Sequence, residues 1–270
     1  LKERLLNFVV VGGGLSGVET AGELKEMIDK LLIYYKYIKK TEINFHIVEL
    51  SNQLIPEFNK KMSSFIVNNF KKRGIIVHLN TKLKEVTSLK VYFSNKKIIY
   101  TNTVISTVGS SVSQLVKNSK LPQKFGRIET CNSMEVKGCK NVWAVGDCAL
   151  VPYDPFDESK ISPPTAQFAV KQAKLLSKNI LLKTLNKKPK SFSYKSKGAL
   201  ASLGSKTGIG KIYFLTIRGL FAWIIWRGFY LSLLPSIATK FRVLICWILE
   251  FFLPRNAVLT DSLNKKSFEY

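Results

Sequence analysis

The N-terminal third of the chain alternates short apolar runs with stretches of helical periodicity. Runs rich in β-branched residues predict buried strands at Asn7–Val11, Asn44–Glu49 and Gly74–Leu79. The spacing of apolar positions predicts helices from Leu15 to about Tyr37 and over Lys60–Arg73. Strands that alternate with helices are typical of parallel βαβ units. The pattern therefore predicts an α/β fold.

The pattern changes in the middle of the chain. Between Leu83 and Tyr100, short strands broken by "SNKK" predict an antiparallel meander. Apolar runs at Thr103–Thr107 and Asn141–Val145 predict two further strands, each ending near a glycine. After a proline-rich stretch, a helix is predicted from Thr165 to about Leu185.

Aromatic and aliphatic residues dominate from Ile212 to Leu253. A spanning helix needs about 20 mostly apolar residues, but charged residues interrupt every run, and the longest uncharged one is Gly228–Thr239. The pattern favours an amphipathic anchor lying in the plane of a membrane, made of two helices broken near Pro235. A buried core hairpin is the alternative reading.

Composition and charge narrow the classes of function. The chain has 270 residues, of which 46% are hydrophobic and 22% charged, as in globular proteins. Its net charge of +24 favours a polyanionic partner, either an anionic membrane surface or nucleic acid, unless the excess is only a lysine-rich exterior. Because no helix-turn-helix, zinc or RNA-binding signature accompanies the charge, no nucleic-acid partner is predicted.

The four cysteines have neither CxxC nor zinc-type spacing, and the chain has only two histidines. We therefore predict no metal site and expect reduced cysteines in a cytosol-like compartment.

A dinucleotide fingerprint follows the first predicted strand and begins the first predicted helix. In Gly12-x-Gly14-x-x-Gly17, the first glycine permits a tight turn, the second lets the backbone approach a pyrophosphate, and the third allows close packing of the helix. Glu49 ends the second strand, where an acid binds ribose hydroxyls and repels a 2′-phosphate. The fingerprint predicts a site that prefers NAD(H) to NADP(H).

Three further acidic residues each have two possible interpretations. Glu19 and Glu23 are four residues apart and share one helix face, so they either line a nicotinamide pocket or are solvated. Asp147, after Gly146 in "AVGDCA", either accepts a hydrogen bond from a sugar-like hydroxyl or only makes a turn.

Taken in order, the motifs resemble one family. "VVVGGGLSGVETAGEL", "FHIVEL", "TVISTVGS", "NVWAVGDCA" and "TAQFAVKQA" resemble the type II NADH:quinone oxidoreductases, or alternative NADH dehydrogenases. The segments "KGALASLG", "FAWIIWRGFYL" and "PRNAVLT" resemble their membrane-anchoring C-terminal region, so the likeness runs from about Leu1 to about Thr260. A disulfide reductase is disfavoured because the chain has no paired redox cysteines.

The resemblance implies a flavoprotein with two Rossmann-like dinucleotide sites, one for FAD and one for NADH. The residues that would hold or adjoin NADH are Gly12, Gly13, Gly14, Gly17, Glu19, Glu49 and Gly109. Those that would contact FAD are Gly146, Asp147, Cys148, Ala149, Ala166 and Gln167.

Within the flavin set, the resemblance assigns individual roles. Asp147 would bond the ribityl chain, and Ala166 and Gln167 belong to an Ala-Gln-x-Ala-x-Gln signature near the isoalloxazine ring and the quinone pocket. This chain reads "AQFAVKQ", with Lys171 in the last position and Gln172 one residue later. Glu19 and Gln167 are the candidates for catalytic residues.

The implied activity passes a hydride from NADH to FAD and two electrons on to a membrane quinone, without proton pumping. Residues 1–108 would bind NADH, 109–190 would form the C-terminal half of a FAD domain, and 191–270 would associate with the lipid surface. The protein would lie on a membrane facing a reducing compartment, as a monomer or a homodimer.

Family members carry an earlier GxGxxG for FAD, whereas only "LKERLLN" precedes Phe8 here. We therefore expect a C-terminal fragment of a longer chain that holds FAD poorly and is inactive by itself. The alternative is an NADH-binding, membrane-associated module without redox turnover.

Overall fold

The computed structural model describes residues 1–109, 113–196 and 198–252, which form two compact units. Unit 1 contains residues 1–108 and the described residues from 199 onward, and unit 2 contains residues 109–198. Of the family motifs, "PRNAVLT" lies outside the described residues, as do single positions of "TVISTVGS" and "KGALASLG". The division of the chain by cofactor and membrane role stays a prediction.

The first part of unit 1 contains three helices and seven strands in its described residues. The helices are α1 (Lys2–Leu6), α2 (Leu15–Leu31) and α3 (Lys60–Lys72). The strands are β1 (Asn7–Val11), β2 (Asn44–Val48), β3 (Ile75–His78), β4 (Leu83–Val86), β5 (Lys90–Phe93), β6 (Ile98–Tyr100) and β7 (Thr103–Ser106). A parallel sheet has the order β3-β2-β1-β7, and β4, β5 and β6 form the antiparallel meander.

The parallel sheet is buried on both faces, which is why its strands read as continuous apolar runs. Along β1, Val10 points into the core formed with α2 and α3, whereas Val9 and Val11 pack against Val91 and Phe93 of the meander. The alternation follows from the two-residue period of a strand. The predicted βαβ pattern, the meander and the Rossmann-like sheet are confirmed.

Helix α2 is shorter than predicted. It ends at Leu31 and continues as a 3₁₀ turn over Leu32–Tyr34, instead of reaching Tyr37. Ile33 and Tyr37 are exposed, at 68% and 94%. Most helical stability comes from packing an apolar face, so the helix ends where its side chains have nothing to pack against.

Unit 2 has a small core around helix α5 (Ala166–Thr184). Its other elements are α4 (Gln114–Asn118), β8 (Gln123–Lys124), β9 (Arg127–Glu129), β10 (Ala149–Leu150), β11 (Pro152–Asp154) and β12 (Asp157–Ile161). Strands β10, β9 and β8 form one sheet, and β11 and β12 form a hairpin. The predicted helix from Thr165 is confirmed, with Thr165 as its N-cap residue.

The strand predicted at Asn141–Val145 is wrong. Within the described residues, Trp143 makes only an isolated bridge with Glu135. The opposing segment turns sharply, because Met134 and Gly138 both have φ of 72°. A ladder of β-strand hydrogen bonds cannot extend along this segment, because the segment reverses direction within a few residues.

The C-terminal residues return to unit 1 and form a third sheet there. Strands β13 (Gly198–Ser202), β14 (Gly208–Ile212) and β15 (Leu215–Gly219) precede helices α6 (Leu220–Leu233) and α7 (Ile237–Phe252). The predicted helical anchor therefore begins at Leu220 and not at Ile212, because Tyr213, with φ of 53°, reverses the chain into the β14–β15 hairpin. The break near Pro235 is confirmed.

Helix α2 joins the parallel sheet of unit 1 to the β13–β15 sheet through close backbone contacts. A Cβ atom at Gly22 would overlap the carbonyl group of Leu203, so only glycine allows this approach. The guanidinium of Arg73, after α3, donates hydrogen bonds to the carbonyl oxygens of Leu203 and of Gly22, the latter at 2.7 Å. One side chain thus ties α2, α3 and the β13–β14 turn together.

The two histidines form a pair between β2 and β3. His46 Nδ1 lies 3.1 Å from His78 Nε2, and His46 is only 7% exposed. Burial, with smaller contributions from His78 and Lys97, lowers the pKa of His46 to about 4, and burial also lowers the pKa of His78. The pair is therefore neutral in the folded protein at pH 7.

We predict that the free energy of unfolding falls between pH 6.5 and pH 4. In this window the unfolded chain protonates His46, whose ordinary pKa is 6.5, while the folded protein does not. The unfolded state binds more protons, so acid destabilises the fold, by about 3 kcal/mol at pH 4 from His46.

Urea denaturation of the wild type and of His46→Gln at several pH values measures this effect. We expect a smaller loss of stability on acidification in His46→Gln, and an intermediate loss in His78→Gln. Identical pH dependence in all three proteins would contradict the assignment.

Candidate functional site

The fingerprint loop connects β1 to α2 with the geometry that its glycines predict. Gly12 has φ of 108°, and its N–H donates to the carbonyl oxygen of Val48 at 2.8 Å. A Cβ atom at Gly17 would overlap the Gly12 carbonyl oxygen and approach Thr107. The first turn of α2 therefore packs directly on the loop, and no residue larger than glycine fits at Gly17.

Gly14 differs from its neighbours because it faces open space. A Cβ atom there would meet no atom within 4 Å, although the same addition at Gly13 would collide with Leu54 and Glu49. Gly14 is the N-cap of α2 and gives the helix no side-chain cap. The free N–H groups and the positive end of the helix dipole thus line an open backbone cradle suited to a phosphate.

Glu49 lies beside this cradle, immediately after β2. Its Oε2 accepts a hydrogen bond from the N–H of Gly13 at 2.6 Å, and its Oε1 accepts one from the N–H of Ser51 at 2.7 Å. A carboxylate oxygen can accept more than one hydrogen bond, so both oxygens keep capacity for a ligand hydroxyl. The backbone contacts hold the charge at the mouth of the loop.

Glu19 and Glu23 face the C-terminal part of unit 1. Glu19 Oε1 accepts from the N–H of Ser202 and from Trp226 Nε1, each at 3.0 Å. Glu23 Oε1 accepts from the hydroxyl of Ser202 at 2.8 Å. Burial raises the pKa of Glu19, while the two hydrogen bonds to it act in the opposite direction. Neither acid is simply solvated.

Ser202 and Trp226 were missed by sequence reasoning. They lie 183 and 207 residues from Glu19, and the sequence contains no spacing rule that joins them to it. Tyr230, one helical turn after Trp226, packs against it with the rings tilted by 58° and their centroids 5.1 Å apart. Burial raises the pKa of Tyr230, and the nearby Glu19 adds to the shift.

Unit 2 holds the other predicted site residues. Gly146, with φ of 73°, starts a 3₁₀ turn that includes Asp147 and Cys148. The Asp147 side chain is exposed, and its carboxylate has no hydrogen-bond or ion-pair partner among the described residues. Arg127 instead donates to the backbone oxygens of Asp147 and Ala149. The carboxylate is thus available to accept a hydrogen bond from a ligand.

The signature at the start of α5 divides into exposed and buried positions. Ala166 and Gln167 are exposed at the helix N-terminus, and Gln167 Nε2 donates to the carbonyl oxygen of Gly198 at 3.1 Å. Gln172 is 1% exposed, and its Oε1 accepts from the N–H of Gly146 at 2.7 Å. Lys171 is exposed, with Nζ 5.9 Å from the centre of the Tyr194 ring.

Gln172 therefore supports the Gly146 turn, while Lys171 occupies the exposed position of the signature.

Gly109 is exposed in unit 2, and a Cβ atom there would meet no atom within 4 Å. The fingerprint residues and Glu49 are brought together in unit 1, and the Gly146 turn and the start of α5 are brought together in unit 2.

The C-terminal helices expose many apolar side chains. On α6, Leu220, Phe221 and Ile224 are each more than half exposed, and on α7 so are Ile237 and Phe241. No helix among the described residues is both long and apolar enough to cross a membrane.

Two family models match the chain. One, described as pyridine nucleotide-disulphide oxidoreductase, matches residues 1–173, and the other, described as NDH2 C-terminal domain, matches residues 196–256.

Individual proteins show the same likeness. A probable NADH dehydrogenase of Dictyostelium discoideum is 34% identical over 251 residues, covering 92% of this chain and 54% of that protein. A type II NADH:quinone oxidoreductase of Haemophilus influenzae is 30% identical over 243 residues, covering 84% of this chain and 53% of that protein. The chain thus spans about half the length of the curated relatives that it matches.

A solved structure, NDH2 from Plasmodium falciparum in complex with NADH, matches with a TM-score of 0.84 and 22% identity. The match covers 94% of this chain and 67% of that one. At this identity the likeness shows a shared fold.

We predict that Trp226→Phe raises the pKa of Glu19. The substitution removes a hydrogen bond donated to the carboxylate, which stabilises its charged form. An NMR titration of the glutamate side-chain carbons measures the shift. Trp247→Phe is the matched control, since the Trp247 ring packs on Arg227 and not on Glu19. An unchanged Glu19 titration in Trp226→Phe would contradict the contact.

Proposed function

Because this chain belongs to the type II NADH:quinone oxidoreductase family of pyridine nucleotide-disulphide oxidoreductases, we propose that it carries the NADH site and the membrane-facing surface of an enzyme that oxidises NADH with a quinone. The observation that carries the proposal is the open cradle at Gly14, flanked by the Glu49 carboxylate. An anion-binding helix start and a carboxylate acceptor are the two features that a dinucleotide requires.

The residues of unit 1 fit NADH. The backbone of Gly12 to Gly14 and the first turn of α2 would bind the pyrophosphate, since a side chain at Gly14 would fill that space. Glu49 would accept hydrogen bonds from the ribose hydroxyls, and its charge would repel the 2′-phosphate of NADPH. Glu19, two residues after Gly17 on α2, would adjoin the nicotinamide end, where its raised pKa lets it hold a proton more readily than a solvated acid.

The exposed polar and backbone groups of unit 2 fit part of a FAD site. The exposed Asp147 carboxylate, which accepts no hydrogen bond from the described residues, would accept one from the ribityl chain, and Gly146 would line the same side. The Ala149 side chain is fully buried, so Ala149 could contribute only backbone. Ala166 and Gln167, at the exposed start of α5, would face the isoalloxazine ring. Bound FAD would supply the redox chemistry, accepting a hydride and releasing electrons one or two at a time.

The exposed apolar side chains of α6 and α7 support peripheral association with a membrane, the source of a lipid-soluble quinone. Two Trp and one Arg stack at the junction of these helices, with Arg227 4.1 Å from the Trp223 ring centre and 4.6 Å from that of Trp247. Aromatic and cationic side chains together are typical of the headgroup region.

We predict that Gly14→Ala weakens NADH binding by roughly tenfold or more, because a methyl group enters the space proposed for the pyrophosphate. The fold should be retained, since the backbone of Gly14, with φ of −70°, suits alanine. Titration of NADH fluorescence measures the affinity. Gly228→Ala is the matched control, as a Cβ atom there also meets nothing within 4 Å, but on α6. Equal NADH affinity in both variants would reject the cradle as the NADH site.

We predict that Glu49→Gln reduces the preference for NADH over NADPH by about tenfold, because the charge that repels a 2′-phosphate is lost. The ratio of the two dissociation constants, from parallel fluorescence titrations, is the measurement. Glu57→Gln, in the exposed loop before α3, removes the same charge elsewhere in unit 1. A preference that changes equally in both variants would show that Glu49 has no specific role.

A further inference from the structure

Helix α3 has a basic groove along its exposed face. Lys60, Lys61 and Lys72 from α3 and Arg218 from β15 line it, together with the amides of Asn68 and Asn69. The groove is open to solvent and has a volume of about 580 Å³. We refer to it as the α3 groove.

The charge of the α3 groove is not neutralised by the protein. No carboxylate lines it, and in the described part of the chain none of its four cations forms an ion pair. Arg218 packs over the Phe65 ring, with its Cζ 5.2 Å from the ring centre, which leaves the guanidinium N–H groups at the groove. Like charges held together without a counterion favour an anionic ligand.

The groups of the groove match a phosphate. Guanidinium and ammonium groups donate charge-assisted hydrogen bonds to phosphate oxygens, and the Asn68 amide adds neutral donors. The Oδ1 atom of Asn69 is buried and has no hydrogen-bond partner among the described residues. The charge-assisted donors of the groove come from its exposed cations, so the lining suits a phosphate group.

The surroundings of Arg218 indicate where such a phosphate comes from. At one end of β15, the hairpin exposes Tyr213, Phe214 and Leu215, with Phe214 94% exposed. At the other end, Leu220 begins α6 and is 55% exposed. Since strand residues rise about 3.3 Å each, the Arg218 backbone lies within about 10 Å of Leu215 and of Leu220. A cationic groove between exposed apolar side chains matches the headgroup region of a bilayer.

We propose that the α3 groove binds the phosphate of an anionic phospholipid headgroup. The proposal rests on the membrane association proposed above and adds a lipid preference to it. Apolar side chains on β15 and α6 would enter the bilayer boundary, while the groove would hold the headgroup. The affinity of the protein for membranes should therefore depend on anionic lipid and decrease with salt.

The test is sedimentation of the full chain with vesicles of phosphatidylcholine containing phosphatidylglycerol, and with vesicles of phosphatidylcholine alone. Near an anionic surface, each basic residue strengthens binding by about fivefold. For Lys60→Gln/Lys72→Gln/Arg218→Gln we expect at least a tenfold loss of binding to the anionic vesicles. Binding to neutral vesicles, through the apolar side chains, should be unchanged.

The matched control is Lys117→Gln/Lys120→Gln/Lys124→Gln, which removes the same charge from exposed positions of unit 2. We expect this variant to lose less than threefold. Lys60→Arg/Lys72→Arg keeps the charge of the groove and should bind as the wild type does. Equal losses in the two triple variants, or no loss in the groove variant, would overturn the proposal.

Two competitors identify the source of the phosphate. Inorganic phosphate offers the same oxygens but no apolar contacts, so it should displace the protein from anionic vesicles only in part, and a short DNA duplex should displace it no better than other polyanions of equal charge. Complete displacement by inorganic phosphate, or selective displacement by DNA, would assign the groove to that ligand and overturn the lipid assignment. NADH titration of the same variants keeps a failure here distinct from a failure of the proposed NADH site.

Discussion

The close approach of helix α2 to two separate stretches of backbone is the constraint on which unit 1 depends. Gly17 lets the start of the helix pack on the fingerprint loop, and Gly22 lets its middle pack on the carbonyl of Leu203. Any Cβ atom at either position would require the backbone to move. The helix is therefore held between the parallel sheet and the β13–β14 turn, and Arg73 satisfies the carbonyl groups exposed at the second contact.

This position of α2 connects the candidate NADH site to the C-terminal helices. The face of α2 that carries Glu19 and Glu23 meets Ser202 and Trp226, so a carboxylate near the fingerprint shares hydrogen bonds with β13 and α6. Burial there raises the pKa of Glu19. A change in α6 would alter the hydrogen bonding of Glu19 without a change in the glycine loop. The nucleotide loop and the surface that we assign to the membrane thus belong to one packed body.

The basic residues of the chain differ in their surroundings, and therefore in what they can bind. Many lysines are exposed on helices and loops, where they act mainly as solvated charge. The α3 groove differs because its cations converge on one space without a carboxylate and lie beside exposed aromatic residues. In unit 2, by contrast, Lys171 lies over a tyrosine ring, and Gln172 is used to hold the Gly146 turn. Although this glutamine lies one position later than in the family signature, its side-chain oxygen still accepts a hydrogen bond from the Gly146 turn.

The sequence by itself determined the parallel βαβ core, the meander, the α5 helix and the glycine fingerprint. Each of these depends on local periodicity or on glycine geometry, which neighbouring residues fix. The tertiary structure decided where α2 ends, that residues 141–145 do not form a strand, and that strands β14 and β15 precede α6. It also decided that Ser202 and Trp226 bind Glu19. The Glu19 contacts join residues 183 and 207 positions apart, and the end of α2 depends on what remains to be packed against. The other two features depend on left-handed backbone at Met134 and Tyr213, which are not residue types that indicate such a conformation.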